Sequence, residues 1–163
     1  MNGAWNKNQI LQALRDQLEV DLQNLKKAAL ATYEDATHEE NKPENKYDTR
    51  ALEASYLAGA QAERVQDVSE LLALCKVMKV KNFSDEDPIA IGALVEVRLE
   101  SKNSYLFFLP KGGGVSFYFE KTKIQVITPI SPLGKAFLGL SASENVIIES
   151  GSQKRNYEII SVI

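Results

Sequence analysis

Apolar residues in the first third of the chain fall on one helical face. Leu11, Leu14, Leu18, Leu22, Leu25 and Ala29 recur every three or four positions, with Lys, Arg, Glu, Asp and Gln between them. Leu52, Tyr56, Gly59, Ala62, Val65, Val68, Leu72 and Cys75 repeat that period. Ala51, Ala54, Ser55, Ala58 and Ala62 are small, which lets two backbones approach closely. Two such runs joined by a polar segment predict an antiparallel coiled-coil hairpin. The second helix, roughly 44–80, would be about 50 Å long, whereas a compact chain of this size has a radius of gyration of about 15 Å. The far end of the hairpin is therefore expected to project. A helix pair acting only as a spacer or dimerisation element satisfies the same periodicity.

Asn82-Phe83-Ser84-Asp85-Glu86-Asp87-Pro88 breaks the helical pattern, and beyond it the apolar period changes to two. The stretches 91–99, 104–109, 115–120, 124–128, 146–149 and 157–163 are strand candidates rich in Val, Ile, Phe and Tyr. A helix over 133–140 would pack on one face of the sheet. The fold class is α+β: a hairpin over 1–81, a linker over 82–87 and a mainly antiparallel sheet domain over 88–163. Lys111-Gly112-Gly113-Gly114 lacks the spacing and the Lys-Ser/Thr ending of a phosphate loop and reads as a hairpin turn between two strands.

A net charge of −3 over 163 residues gives the chain no global attraction for nucleic acid, and no basic helix or stripe stands out. No run approaches the ~20 apolar residues that span a bilayer, and the first residues do not form a secretory signal, so the expectation is a cytoplasmic protein without membrane contact. The single cysteine, Cys75, falls on the apolar stripe and forms neither an internal disulfide nor a Cys-based zinc site.

Acidity is concentrated between the helices. From Glu34 to Asp48 six acids (Glu34, Asp35, Glu39, Glu40, Glu44 and Asp48) face two lysines, Lys42 and Lys46, leaving −4 in a chain of −3 overall. Carboxylates on a projecting tip suit magnesium, a hard cation that takes one or two carboxylates plus water or phosphate. Capping explains the same residues: Asn41 and Glu44 make an adequate helix start, and Glu44 and Asp48 favour the positive end of the helix dipole. His38, the only histidine, has no Cys partner and reads as a solvated loop residue. There is no Gly-x-Ser-x-Gly elbow and no histidine in the back half to activate a nucleophile. Glu149 and Glu158 read as strand-surface glutamates, and no self-contained active site emerges.

Ser131 suits a helix N-cap and Pro132 the first helical position. The words Ser131-Pro132-Leu133-Gly134, followed by Phe137-Leu138-Gly139 and by the terminal Tyr157-Glu158-Ile159-Ile160, resemble the C-terminal domain of the bacterial Gre transcript-cleavage factors. The order of hairpin, acidic turn, linker and sheet domain resembles that family over most of the chain. The resemblance implies an FKBP-like C-terminal domain that docks on RNA polymerase, with Ser131, Pro132, Leu133 and Gly134 as partner-binding residues. It also implies a coiled coil that enters the polymerase secondary channel, meets nucleic acid inside the transcription complex and stimulates transcript cleavage. In that reading Glu44, assisted by Glu40 or Asp48, supplies ligands to a magnesium ion shared with the polymerase, and the chain is an accessory factor rather than an enzyme.

The tip departs from the family's Gly-Asp-x-Ser-Glu-Asn motif. Glu44-Asn45 matches its Glu-Asn pair, but Asn41 stands at the aspartate position and Pro43 at the serine. A non-cleaving regulator that occupies the same channel is one alternative. A prolyl isomerase or chaperone built on the FKBP-like domain is another, although Trp5 lies outside that domain and a tryptophan-floored pocket is not expected. A coiled-coil adaptor is a third. A lone projecting hairpin suits a monomer.

Overall fold

The computed structural model describes residues 5–38, 50–150 and 153–163, with side chains omitted at Ala36, Arg50, Ala51 and Ser150. The fold is α+β, a helical hairpin followed by a six-stranded mixed sheet with one short helix. Two compact units divide the chain: Met1–Leu14 with Met78–Ile163, and Arg15–Val77. The first helix, α1 (Lys7–Thr37), contributes to both, while α2 (Arg50–Val77) belongs to the second.

Within the helical unit, Arg15 Nε donates to the Cys75 carbonyl at 2.8 Å, and Lys76 pairs with Glu19 at 3.1 Å. These contacts set the early turns of α1 against the end of α2, as an antiparallel pair requires. The α1 stripe lies inward as its periodicity predicts, with Leu18 buried and Leu22, Leu25 and Ala29 half-buried. On α2 the inward residues from Val65 onward are also those of the sequence pattern, ending in buried Leu72 and Cys75. Towards the start of α2 the face shifts. Ala54, Ala58 and Gln61 are half-buried, whereas Leu52 and Tyr56 are 55% and 72% exposed. Small side chains face in there, and the large apolar ones are left outside. Burial pushes the Cys75 thiol up, partly offset by the Arg15 charge, consistent with a core residue rather than a nucleophile.

The sheet contains β1 (Leu94–Leu99), β2 (Lys102–Phe108), β3 (Ser116–Phe119), β4 (Thr122–Ile127), β5 (Asn145–Ser150) and β6 (Gln153–Val162), in the order β3-β4-β2-β1-β6-β5. All neighbours are antiparallel except β2 and β4, which run parallel. The glycine segment is consequently not a hairpin turn. β4 intervenes between β2 and β3, so residues 109–115 form a connection that crosses it, with Gly114 N donating to Val126 O at 3.0 Å. Gly112 (φ 85°) and Gly114 (φ 89°) occupy the left-handed region that this connection needs. β3 and β4 are joined instead by a tight hairpin at Glu120 and Lys121 (φ 46° and 69°), the positive pair of a two-residue type I′ turn.

Both faces of the sheet are covered. On one, Val95, Val97, Leu106, Phe108, Ile127, Ile159 and Val162 form a buried cluster with Phe137 of α3 (Pro132–Phe137). On the other, strand alternation places the buried Leu94, Phe107, Phe117, Ile124 and Val126. Trp5 stacks on Tyr105 (4.8 Å) and approaches Phe119 (5.9 Å) on that second face.

Lys7 closes the unit. The residue is 3% exposed, and its amine donates to the carbonyls of Lys81, Gly92 (2.9 Å) and Ile163 (2.8 Å) and lies 4.5 Å from the Phe83 ring centre. Three separate segments thus meet at one side chain. Burial, with the Lys81 charge second, lowers its pKa to about 8. Residues 82–87 are tied to the same unit, where Asp85 Oδ1 accepts from Val162 N (3.0 Å) and Asp85 O from Ala142 N (3.1 Å).

Candidate functional site

Ser131-Pro132-Leu133-Gly134 is a helix start built on a tight backbone contact. Ser131 has extended geometry (φ −69°, ψ 152°), and its Oγ accepts from Gly134 N at 3.0 Å. The same Oγ donates to Thr128 O at 2.8 Å, and Ser131 N donates to that oxygen at 3.1 Å. Pro132, which has no N–H to satisfy, takes the first turn. A Cβ at Gly134 would sit 1.9 Å from Thr128 O, so only glycine fits. Serine, proline and glycine each have a physical task, and Phe137 anchors the helix in the core.

This element brings the four partner-binding candidates together. Gly134 is buried, Ser131 and Leu133 are half-buried, and Pro132 is exposed. Ile130, next to the cap, is 79% exposed, and Leu138, just past the helix, is 44% exposed. The surface presented around Pro132 is therefore apolar.

Glu40, Glu44 and Asp48 lie outside the described residues, as do Asn41 and Pro43. Of the acidic segment, Glu34, Asp35 and His38 are described and exposed. No group of three or more His, Cys, Asp or Glu side chains able to hold a metal occurs among the described residues. Glu149 and Glu158 do not converge: Glu149 pairs with Lys154 (2.7 Å) and Glu158 with Arg98 (2.6 Å). No described helix is long and apolar enough to cross a membrane.

A second feature, missed at the sequence level, is an open groove of about 1010 Å3 on the α3 face of the sheet. Val97, Leu99, Leu106, Leu133 and Tyr157 line it with apolar surface, while Lys102, Ser104, Gln125 and Arg155 add polar groups. Trp5 packs on the opposite face and does not line it, so the groove has no tryptophan floor. The available signal was strand phase, since Lys102 and Arg155 alternate in register with Leu99 and Tyr157. Lys7 was also missed. It lies four positions before Leu11, on the inward stripe, where a lysine demands polar partners.

No protein-family model matches the chain, and no curated protein matches it significantly. Among solved structures, the chain is similar to GreA factor homolog 1 (Gfh1) of Thermus thermophilus at 16% identity, covering 93% of this chain and 95% of that one, with a TM-score of 0.37. Gfh1 of Thermus aquaticus shows 14% identity over 93% of this chain and 94% of that one, with a TM-score of 0.37. The transcription elongation factor GreA/GreB from Nitrosomonas europaea shows 19% identity over 68% of this chain and 93% of that one, with a TM-score of 0.37.

Proposed function

We propose that this chain is a Gre-type accessory factor of RNA polymerase. Its sheet unit docks through Ser131–Gly134 and the neighbouring apolar surface. Its helical hairpin enters the secondary channel and brings Glu40, Glu44 and Asp48 towards nucleic acid and metal in the transcription complex. The observation that carries the reading is the Ser-Pro-Leu-Gly element. Ser131, Pro132 and Gly134 each have a task in one cap while Leu133 packs against the core, and the result is a rigid corner presenting Pro132, Ile130 and Leu138 to a partner.

Carboxylates at the tip would share a magnesium ion with the polymerase, providing hard oxygen ligands while the polymerase performs hydrolysis. Glu44 is the principal ligand in this reading. The amide of Asn41 offers only a neutral oxygen where the family motif has a carboxylate, and this favours a second reading in which the hairpin occupies the channel without promoting cleavage.

The test of docking is co-elution of the full chain with purified core RNA polymerase. Stable association is expected, weakened by Ile130→Asp with Leu138→Asp. Failure of the unmodified protein to associate overturns both readings and favours an adaptor for another partner.

A further inference from the structure

The groove sits on a face with one sign of charge. Strand register places Lys102 opposite Leu99, Ser104 opposite Val97, Tyr157 opposite Leu99 and Arg155 opposite Ile148, all on the α3 side. Lys123 follows from alternation with Gln125 and Ile127 on β4. Among the described residues, every charged strand position on this face is thus a cation. The strand carboxylates, Glu96, Glu149 and Glu158, all project from the opposite face. There Glu158 meets Arg98, Glu149 meets Lys154, and Glu96 accepts from Asn103 at 2.7 Å. Arg98, Lys154 and Glu158 of the opposite face also border the groove, as does Glu100 of the β1–β2 turn, but Arg98 and Lys154 are already paired with Glu158 and Glu149; the lining cations on the α3 side are Lys102 and Arg155.

From this juxtaposition we propose that the groove binds an extended acidic peptide segment of a protein partner. One large apolar side chain of the peptide rests on the half-buried Leu99, Leu133 and Tyr157, and carboxylates on either side of it meet Lys102 and Arg155. The aliphatic patch, set among polar groups, suits one such side chain. Ser104 and Gln125 supply a hydroxyl and an amide for the peptide backbone. A single-stranded nucleic acid fits less well, because it needs stacking surfaces. Among the described residues Tyr157 is the one aromatic lining the groove, and its ring is already engaged edge-on with Phe137 at 5.7 Å.

This inference goes beyond docking on RNA polymerase and needs no polymerase for its test, so either can fail alone. The probe is a fluorescein-labelled heptapeptide, Asp-Glu-Asp-Leu-Phe-Glu-Asp, titrated with the full chain by anisotropy and mapped by amide chemical shifts. Binding is expected to perturb Leu99, Leu106 and Tyr157 and to weaken as salt rises. Lys102→Glu and Arg155→Glu should each weaken it about tenfold, with Lys27→Glu on α1, an equal change in net charge, leaving it unaltered. The proposal is overturned by absence of binding at about 1 mM protein, by reversal variants that bind the peptide as tightly as the unmodified protein does, or by tighter binding of an oligothymidylate that displaces the peptide.

Discussion

Replacing Gly134 by alanine should unfold the sheet unit far more readily than its single methyl suggests. The new Cβ would lie 1.9 Å from Thr128 O, 2.8 Å from Thr128 C and 2.9 Å from Ser131 Oγ. The obstruction is backbone, and the same Thr128 oxygen is held by Ser131 N and Ser131 Oγ. Relieving the overlap moves α3 off its cap and strains three hydrogen bonds at about 1 kcal/mol each. Displacement of Phe137 from the core adds about 1–3 kcal/mol, for a total of about 4–6 kcal/mol. With a urea slope of about 1–3 kcal/mol/M, the midpoint should fall by about 1 M or more. Fluorescence of Trp5, the only tryptophan, reports on the transition because it stacks on Tyr105 of the same unit. Gly59→Ala provides the opposite sign. Gly59 lies inside α2 with nothing within 4 Å of an added Cβ, and the change should stabilise the helical unit by about 0.5–1 kcal/mol. A Gly134→Ala protein within about 0.5 kcal/mol of the unmodified one would refute the close-contact argument.

Lys7 makes stability depend on pH in a defined direction. Its pKa is about 8 when folded against 10.5 when free, so between those values the unfolded chain binds more protons and stability rises with pH. The stability of the unmodified protein relative to Lys7→Met should therefore increase by about 3 kcal/mol from pH 8 to above 10.5; urea titrations that show a flat or falling difference would contradict the burial argument. Gln61 Oε1 is buried without a hydrogen-bond partner among the described residues, so Gln61→Leu should raise the stability of the helical unit by about 1 kcal/mol, checked by denaturation followed at 222 nm.

Local chemistry was the legible part of this chain, and non-local pairing was not. The Ser131 cap, Pro132 in the first turn and the α1 stripe follow from neighbours a few residues apart, and each appears as read. On α2, counting large apolar residues selected Leu52 and Tyr56, but close helix approach favours Ala54 and Ala58 inside, because size rather than hydropathy decides there. The strands themselves were recognisable by alternation. Their order was not, since nothing in residues 109–115 announces that β4 will pair with β2 in parallel. Conversely, the hairpin turn between β3 and β4 uses Glu120 and Lys121, neither of them a residue that marks such turns. The groove's cations were visible individually, yet only the register shows that Lys102 and Arg155 share a face. The acidic tip was conspicuous in the sequence, while Glu40, Glu44 and Asp48 lie beyond the described residues.

Transcript release from purified, backtracked RNA polymerase complexes addresses the proposed mechanism without intermediaries. Added protein should accelerate cleavage in the presence of magnesium, and Glu44→Gln should abolish most of that acceleration while co-elution with the polymerase persists. Equal acceleration by the two proteins would remove Glu44 from the mechanism. Binding without acceleration by either would contradict cleavage and leave a factor that only occupies the channel.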